Sequence, residues 1–77
     1  MKRFFGMMPN SCVEIHKSFR DSNDLRVEIE AGPVGWTIIW ADGGTYYEDK
    51  NDTSENNFRK AYGIAVDAVG PLREVKR

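Results

Sequence analysis

Residues 12 to 19, CVEIHKSF, alternate between apolar and polar. Val13, Ile15 and Phe19 fall on one side; Cys12, Glu14, His16 and Ser18 fall on the other; Lys17 is the exception on the apolar side. A period of two marks a strand with one dry face. Residues 20 to 24, RDSND, are turn formers. Residues 25 to 31, LRVEIEA, alternate again, with Leu25, Val27, Ile29 and Ala31 inward and Arg26, Glu28 and Glu30 outward. Two alternating runs around a short polar loop predict an antiparallel hairpin. Pairing Phe19 with Leu25 sets Ile15 against Ile29, Lys17 against Val27 and His16 against Glu28. It also sets Glu14 against Glu30, a like-charge contact that a register shift of two residues removes.

Gly32-Pro33 breaks the second strand. Residues 35 to 41 form a third run, Asp42-Gly43 supplies a tight turn, and residues 44 to 49 return. On the third run Trp36, Ile38 and Trp40 share one face and Thr37 and Ile39 the other. A two-residue turn at Asp42-Gly43 sets Trp40 against Thr45 and Ile38 against Tyr47, and places Tyr46 beside Ile39. Gly44 leaves room for a bulged variant.

The period then changes. After the polar stretch DKNDTSEN at residues 49 to 56, Phe58, Ala61, Tyr62, Ala65 and Val69 fall on one helical stripe, widened by Ile64, Val66 and Ala68. Asp52 and Glu55 have capping-box spacing, and Thr53 and Ser54 are alternative caps. Gly70-Pro71 ends the helix. Leu72 and Val75 lie in a basic tail that either docks or frays. The expected fold is α+β: a two-layer domain in which an antiparallel meander of three to five strands packs on one C-terminal helix at about residues 53 to 69. A short extra strand at residues 3 to 8 is a further candidate. All 77 residues are expected to form one domain.

Composition narrows the function classes. Apolar residues make up 40% and charged residues 30% of the chain, the balance of a folded protein. No window has the length of a membrane span, and the apolar run that follows Lys2-Arg3 is stopped by Pro9 and Asn10. With the single cysteine Cys12 no internal disulfide can form. A cytoplasmic location is the expectation.

Charge is segmented. Residues 1 to 20 and 58 to 77 each balance at +3, while residues 21 to 57 balance at −7, for a net charge of −1. An acidic middle argues against nucleic acid as the first partner, because such binding draws its affinity from phosphate neutralisation.

Candidate chemistry is sparse. Cys12 and His16 lie four residues apart on one strand, roughly 13 Å, too far for proton transfer. One His and one Cys cannot build a structural zinc site. Asp49, Asn51 and Thr53 copy the first ligand positions of a calcium loop, but Ser54 stands at the glycine position and Lys60 at the final glutamate. No catalytic residue, metal or cofactor is expected.

What stands out is the aromatic second hairpin, GWTIIWADGGTYY. One helix shields one face of a sheet, and this hairpin carries large apolar groups on both alternations. Cross-strand aromatics stabilise hairpins, and Phe4, Phe5, Met7 and Met8 are available to fold over the second face. The functional alternative is an interaction surface. The expectation is a small non-enzymatic module that binds another protein, or itself as a homodimer, through a sheet face or edge around Trp36, Trp40, Tyr46 and Tyr47. The runner-up is a nucleic-acid-binding accessory domain using Lys17, Arg20 and Arg26.

Overall fold

A computed structural model describes residues 12 to 76; the candidate strand at residues 3 to 8, and the suggestion that Phe4, Phe5, Met7 and Met8 cover the sheet, lie outside them. The order is β1 (Ile15–Arg20), β2 (Arg26–Gly32), β3 (Gly35–Ile39), β4 (Thr45–Asp49), α1 (Ser54–Val69) and β5 (Arg73–Val75). The strands form one antiparallel sheet in the order β4-β3-β2-β1-β5. This is the α+β two-layer architecture that the change of period from two to 3.6 predicts.

The first hairpin takes the shifted register. Phe19 pairs with Val27, Lys17 with Ile29, Ile15 with Ala31 and His16 with Glu30. Its loop explains why. Asp21 and Leu25 close the ladder, with Asp21 N–H donating to the Leu25 carbonyl at 3.0 Å. The Asp21 carboxylate accepts from the N–H groups of Asn23 and Leu25, an Asx arrangement that holds the turn. Asp24 takes the left-handed position, φ 65°. Leu25 therefore stands at the hairpin tip, 52% exposed, rather than in the core where alternation placed it.

The second hairpin repeats this design. Trp40 N–H donates to Gly44 O, Gly43 N–H donates to Trp40 O, and Gly43 has φ 92°. The loop is thus three residues long, with a left-handed glycine in its last position, not two. One extra residue reverses the parity of the returning strand. Ile38 pairs with Tyr46 and Thr37 with Tyr47, the reverse of the two-residue expectation. The strand also ends earlier than residue 41, at Ile39.

Between the hairpins, Gly32 pairs with Gly35 across Pro33 and Val34. Both glycines are sterically required. A Cβ on Gly32 would lie 1.7 Å from the Cys12 carbonyl oxygen, and one on Gly35 would lie 2.2 Å from that of Glu48.

Thr53 is the N-cap of α1; its hydroxyl accepts from Asn56 N–H at 3.1 Å. Gly70, φ 87°, closes the other end through its N–H to Val66 O. Ala61 and Ala65 are fully buried, so the helix backbone comes close to the sheet. The core joins them to Phe19, Val27, Ile29, Ala31, Trp36 and Ile38. Of the residues expected to widen the stripe, Ile64 and Ala68 are exposed. Lys17, the polar exception on β1, holds its ammonium 5.7 Å from the Phe58 ring centroid. Its stem can thus lie along an apolar surface while its charge meets a π face.

The basic tail docks as β5. Ser18 pairs with Val75 and Arg20 with Arg73, and Leu72 packs against the core.

Candidate functional site

The helix is narrower than the sheet. It packs chiefly on β2 and β3 and less on β1. At the β4 side this leaves a groove of about 440 Å³ between α1 and the sheet. Tyr46 and Glu48 of β4 line one wall, and Lys60, Gly63, Ile64 and Asp67 of α1 line the other. Trp36 lies at the base, 3% exposed. Its ring is tilted at 50° against Tyr46 with centroids 5.4 Å apart.

Two apolar side chains in this region remain open to solvent, Tyr46 at 45% and Ile64 at 38%. They come from different elements. Ile64 belongs to the helical stripe by sequence, but it faces the flank that the sheet does not reach. Tyr46 is brought here by the extra loop residue. Gly63 keeps the wall low, since nothing lies within 4 Å of the position its Cβ would take. The rim carries both signs of charge: Lys50, Arg59 and Lys60 against Glu48 and Asp67. Lys60 is held by Asp52 at 2.9 Å, and Arg59 donates to Asn56 Oδ1.

The four aromatics of the second hairpin do not form one patch. Trp36 and Tyr46 share the groove. Trp40 packs against the core at the far end of the helix, where it lines an apolar depression of about 210 Å³ with Leu25, Val27 and Val69. Tyr47 pairs with Thr37 on the face turned away from α1 and is half-buried. Alternation alone could not find this arrangement, because it depends on the loop length. Ile64 went unmarked because an exposed residue on the edge of a helical stripe looks like one more core residue.

The basic residues divide likewise. Arg20 and Arg26 are cross-strand partners on the face opposite α1. Lys17 stands on the helix side, beside Phe58 and 4.0 Å from Glu74. Arg26 Nε meets Glu28 at 3.2 Å, and His16 Nε2 meets the same carboxylate at 2.9 Å. Among the described residues Lys17 and Arg26 thus sit beside acids, Arg20 does not, and the three cations are split between faces, which weakens the case for a single nucleic-acid surface.

Among the described residues no group of three or more His, Cys, Asp or Glu is placed to hold a metal ion. Asp52 is spent locally. It accepts from Lys60 Nζ, Asn56 Nδ2 and Thr53 N–H, and these bonds, Lys60 foremost, lower its pKa to about 2. No described helix is long and apolar enough to cross a membrane.

The described residues therefore define a two-layer α+β fold, with one helix on a five-stranded antiparallel sheet among them. In comparison with known proteins the chain matches no family model, no curated protein and no solved structure.

Proposed function

We propose that this protein is a small non-enzymatic interaction module and that it docks a segment of a partner protein in the groove between α1 and β4. The observation that carries this reading is the juxtaposition of Tyr46 and Ile64. These two large apolar side chains, on different elements, stay open to solvent on either side of a concave surface whose base is a Trp ring. Tyr and Trp are favoured anchors of protein interfaces because they bring large apolar area with a polar tip. The rim, with cations and acids on both walls, suits a peptide segment that carries an apolar anchor flanked by mixed charge. A nucleic-acid backbone would instead need one sign of charge throughout.

The test uses Tyr46→Ala and Ile64→Ala in the full chain. Both variants are expected to keep the amide NMR dispersion of the wild type, because neither residue belongs to the buried core. Light scattering at two concentrations first reports self-association. Capture from the native host's extract is then compared between wild type and variants. Partners that bind the wild type and are lost from both variants support the groove. An identical set on all three proteins, or wild-type dimers that persist in both variants, would overturn it.

A further inference from the structure

We propose that the Arg20–Asp24–Arg73 cluster, at the tip of the first hairpin, is a binding site for a small phosphate-class oxyanion, with the Asp24 carboxylate as its intramolecular occupant. Arg26, Arg20 and Arg73 are direct register neighbours on β2, β1 and β5. Like charges placed opposite each other across strands repel, so an anion beside this row is favoured.

Part of that anion is supplied from within. Arg20 donates to the Asp24 carbonyl oxygen at 3.2 Å, and Arg73 donates to the Asp24 carboxylate at 3.2 Å. Two guanidinium groups thus converge on one residue. Asp24 is also the one non-glycine residue with positive φ among those described, so its backbone is held where both can reach it. Asp24, Arg20 and Arg73 line a depression of about 310 Å³ together with Ser22 and Leu72. That space is ample for a phosphate or pyrophosphate group, and the Ser22 hydroxyl adds a donor-acceptor on its wall. Asp21 also lines it, but its carboxylate accepts two backbone N–H groups of the turn. Arg26 is held by Glu28 on the far side of Arg20.

The Asp24–Arg73 contact is a weak occupant. Both side chains are largely exposed, 75% and 68%, and exposed ion pairs contribute little. A phosphate oxyanion offers Arg a bidentate partner with higher charge, so it competes well against a single carboxylate contact. The cationic row is three residues long and bordered by Glu28. It therefore fits one phosphate group or two, not a polynucleotide strand.

The experiment is an amide NMR titration of the full chain with inorganic pyrophosphate, at ionic strength held constant with sodium chloride. The expected result is saturable shifts confined to the 20–26 turn and residues 72 to 74. Asp24→Asn removes the internal competitor, and Asn tolerates the left-handed backbone; it is expected to tighten binding about fivefold, the Coulomb scale of one charge near 4 Å in water. Arg73→Gln is expected to abolish the saturable shifts. The idea is overturned if the shifts spread to Lys17 and Lys60 without saturating, or if Asp24→Asn binds no tighter than the wild type. The sign of the Asp24→Asn effect decides the matter even if Arg73→Gln detaches β5.

Discussion

The side-chain amide of Asn57, fully buried on α1, donates to the Gly32 carbonyl at 2.8 Å and to the Lys50 carbonyl at 2.9 Å. One side chain thereby ties the first turn of the helix both to the end of β2 and to the loop that leads out of β4. Neighbouring bonds work to the same end. Lys50 N–H donates to Val34 O, Asp52 N–H donates to Pro33 O, and the Ser54 hydroxyl donates to Glu14 at 2.6 Å. The start of the helix is positioned by polar contacts, whereas its middle is positioned by Ala61 and Ala65 against the sheet.

Truncation of Asn57 should therefore be costly for a polar residue. Asn57→Ala leaves the Gly32 and Lys50 carbonyls without this donor, and a loss of about 2–4 kcal/mol is expected in urea unfolding. The Asn57 Oδ1 atom has no partner among the described residues, so its removal returns part of the cost. Asn57→Asp tests the orientation directly. It presents a charged acceptor to two carbonyl oxygens, and it should destabilise by more than Asn57→Ala. An Asp variant as stable as the Ala variant would contradict the donor role.

Two glycines should respond to alanine in opposite directions. Gly32→Ala drives a Cβ into the backbone of Cys12, with no flexible side chain to give way; a loss of about 2 kcal/mol or more is expected. Gly63 is helical, and its Cβ would meet nothing within 4 Å. Gly63→Ala should stabilise by about 0.5–1 kcal/mol through lower unfolded-state entropy and better helix propensity. Melting curves of the two variants check both signs.

The same geometry shows what could be read from residues alone. The helix was legible because Phe58, Ala61, Tyr62, Ala65 and Val69 repeat at 3.6 and Gly70-Pro71 ends the run. Thr53, one of three candidate caps, is the one used, because Asp52 is engaged with Lys60 and Asn56. The first hairpin was legible as a hairpin, but its register was open between two pairings: Glu14 opposite Glu30 counted against the first, and the Asp21 loop sets the second, at the cost of placing Arg20 opposite Arg26. The faces of Tyr46 and Tyr47 stay open in the residues alone, because Asp42-Gly43-Gly44 fits two loop lengths and parity depends on which forms; the three-residue loop places Tyr46 opposite Ile38 and Tyr47 opposite Thr37. The strand at Arg73–Val75 was beyond reach. Three residues carry no period, and this segment pairs because β1 has a free edge beside it. The groove was equally hidden, for it exists only where the helix stops short of β4.

Asp52 gives a prediction in acid. Its bonds to Lys60, Asn56 and Thr53 N–H lower its folded pKa to about 2, from an ordinary 3.8. A carboxylate with a lowered folded pKa contributes its stabilisation above the unfolded value and loses it as the pH falls toward the folded one. The contribution should be present in full above about pH 4 and disappear between about pH 4 and pH 2. Asp52→Asn keeps a side-chain acceptor but cannot titrate, so its stability should fall less steeply over that window. NMR titration of the Asp52 carboxyl offers a direct check: a midpoint near 3.8 would remove the basis for this prediction.

Trp36 and Tyr46 touch each other, yet they should behave as different kinds of residue. Trp36 is 3% exposed and packs in the core, whereas Tyr46 is 45% exposed at the groove mouth. Trp36→Ala is expected to cost about 3–5 kcal/mol. That is a large share of the 5–15 kcal/mol or so that holds a typical domain folded, so partial or complete unfolding should follow. Tyr46→Ala removes one tilted ring contact and should cost only about 0.5–1.5 kcal/mol beyond its lost apolar area. Trp36→Phe separates the ring from its N–H. The Trp36 Nε1 atom is buried with no acceptor among the described residues, so Phe gives up volume but no hydrogen bond. It should be far milder than Ala. Guanidinium unfolding of the three variants ranks them as Trp36→Ala, then Trp36→Phe and Tyr46→Ala well behind. If Tyr46→Ala unfolded the chain as thoroughly as Trp36→Ala, Tyr46 would be a structural member of the core, and the groove would lose the side chain that makes it an interaction surface.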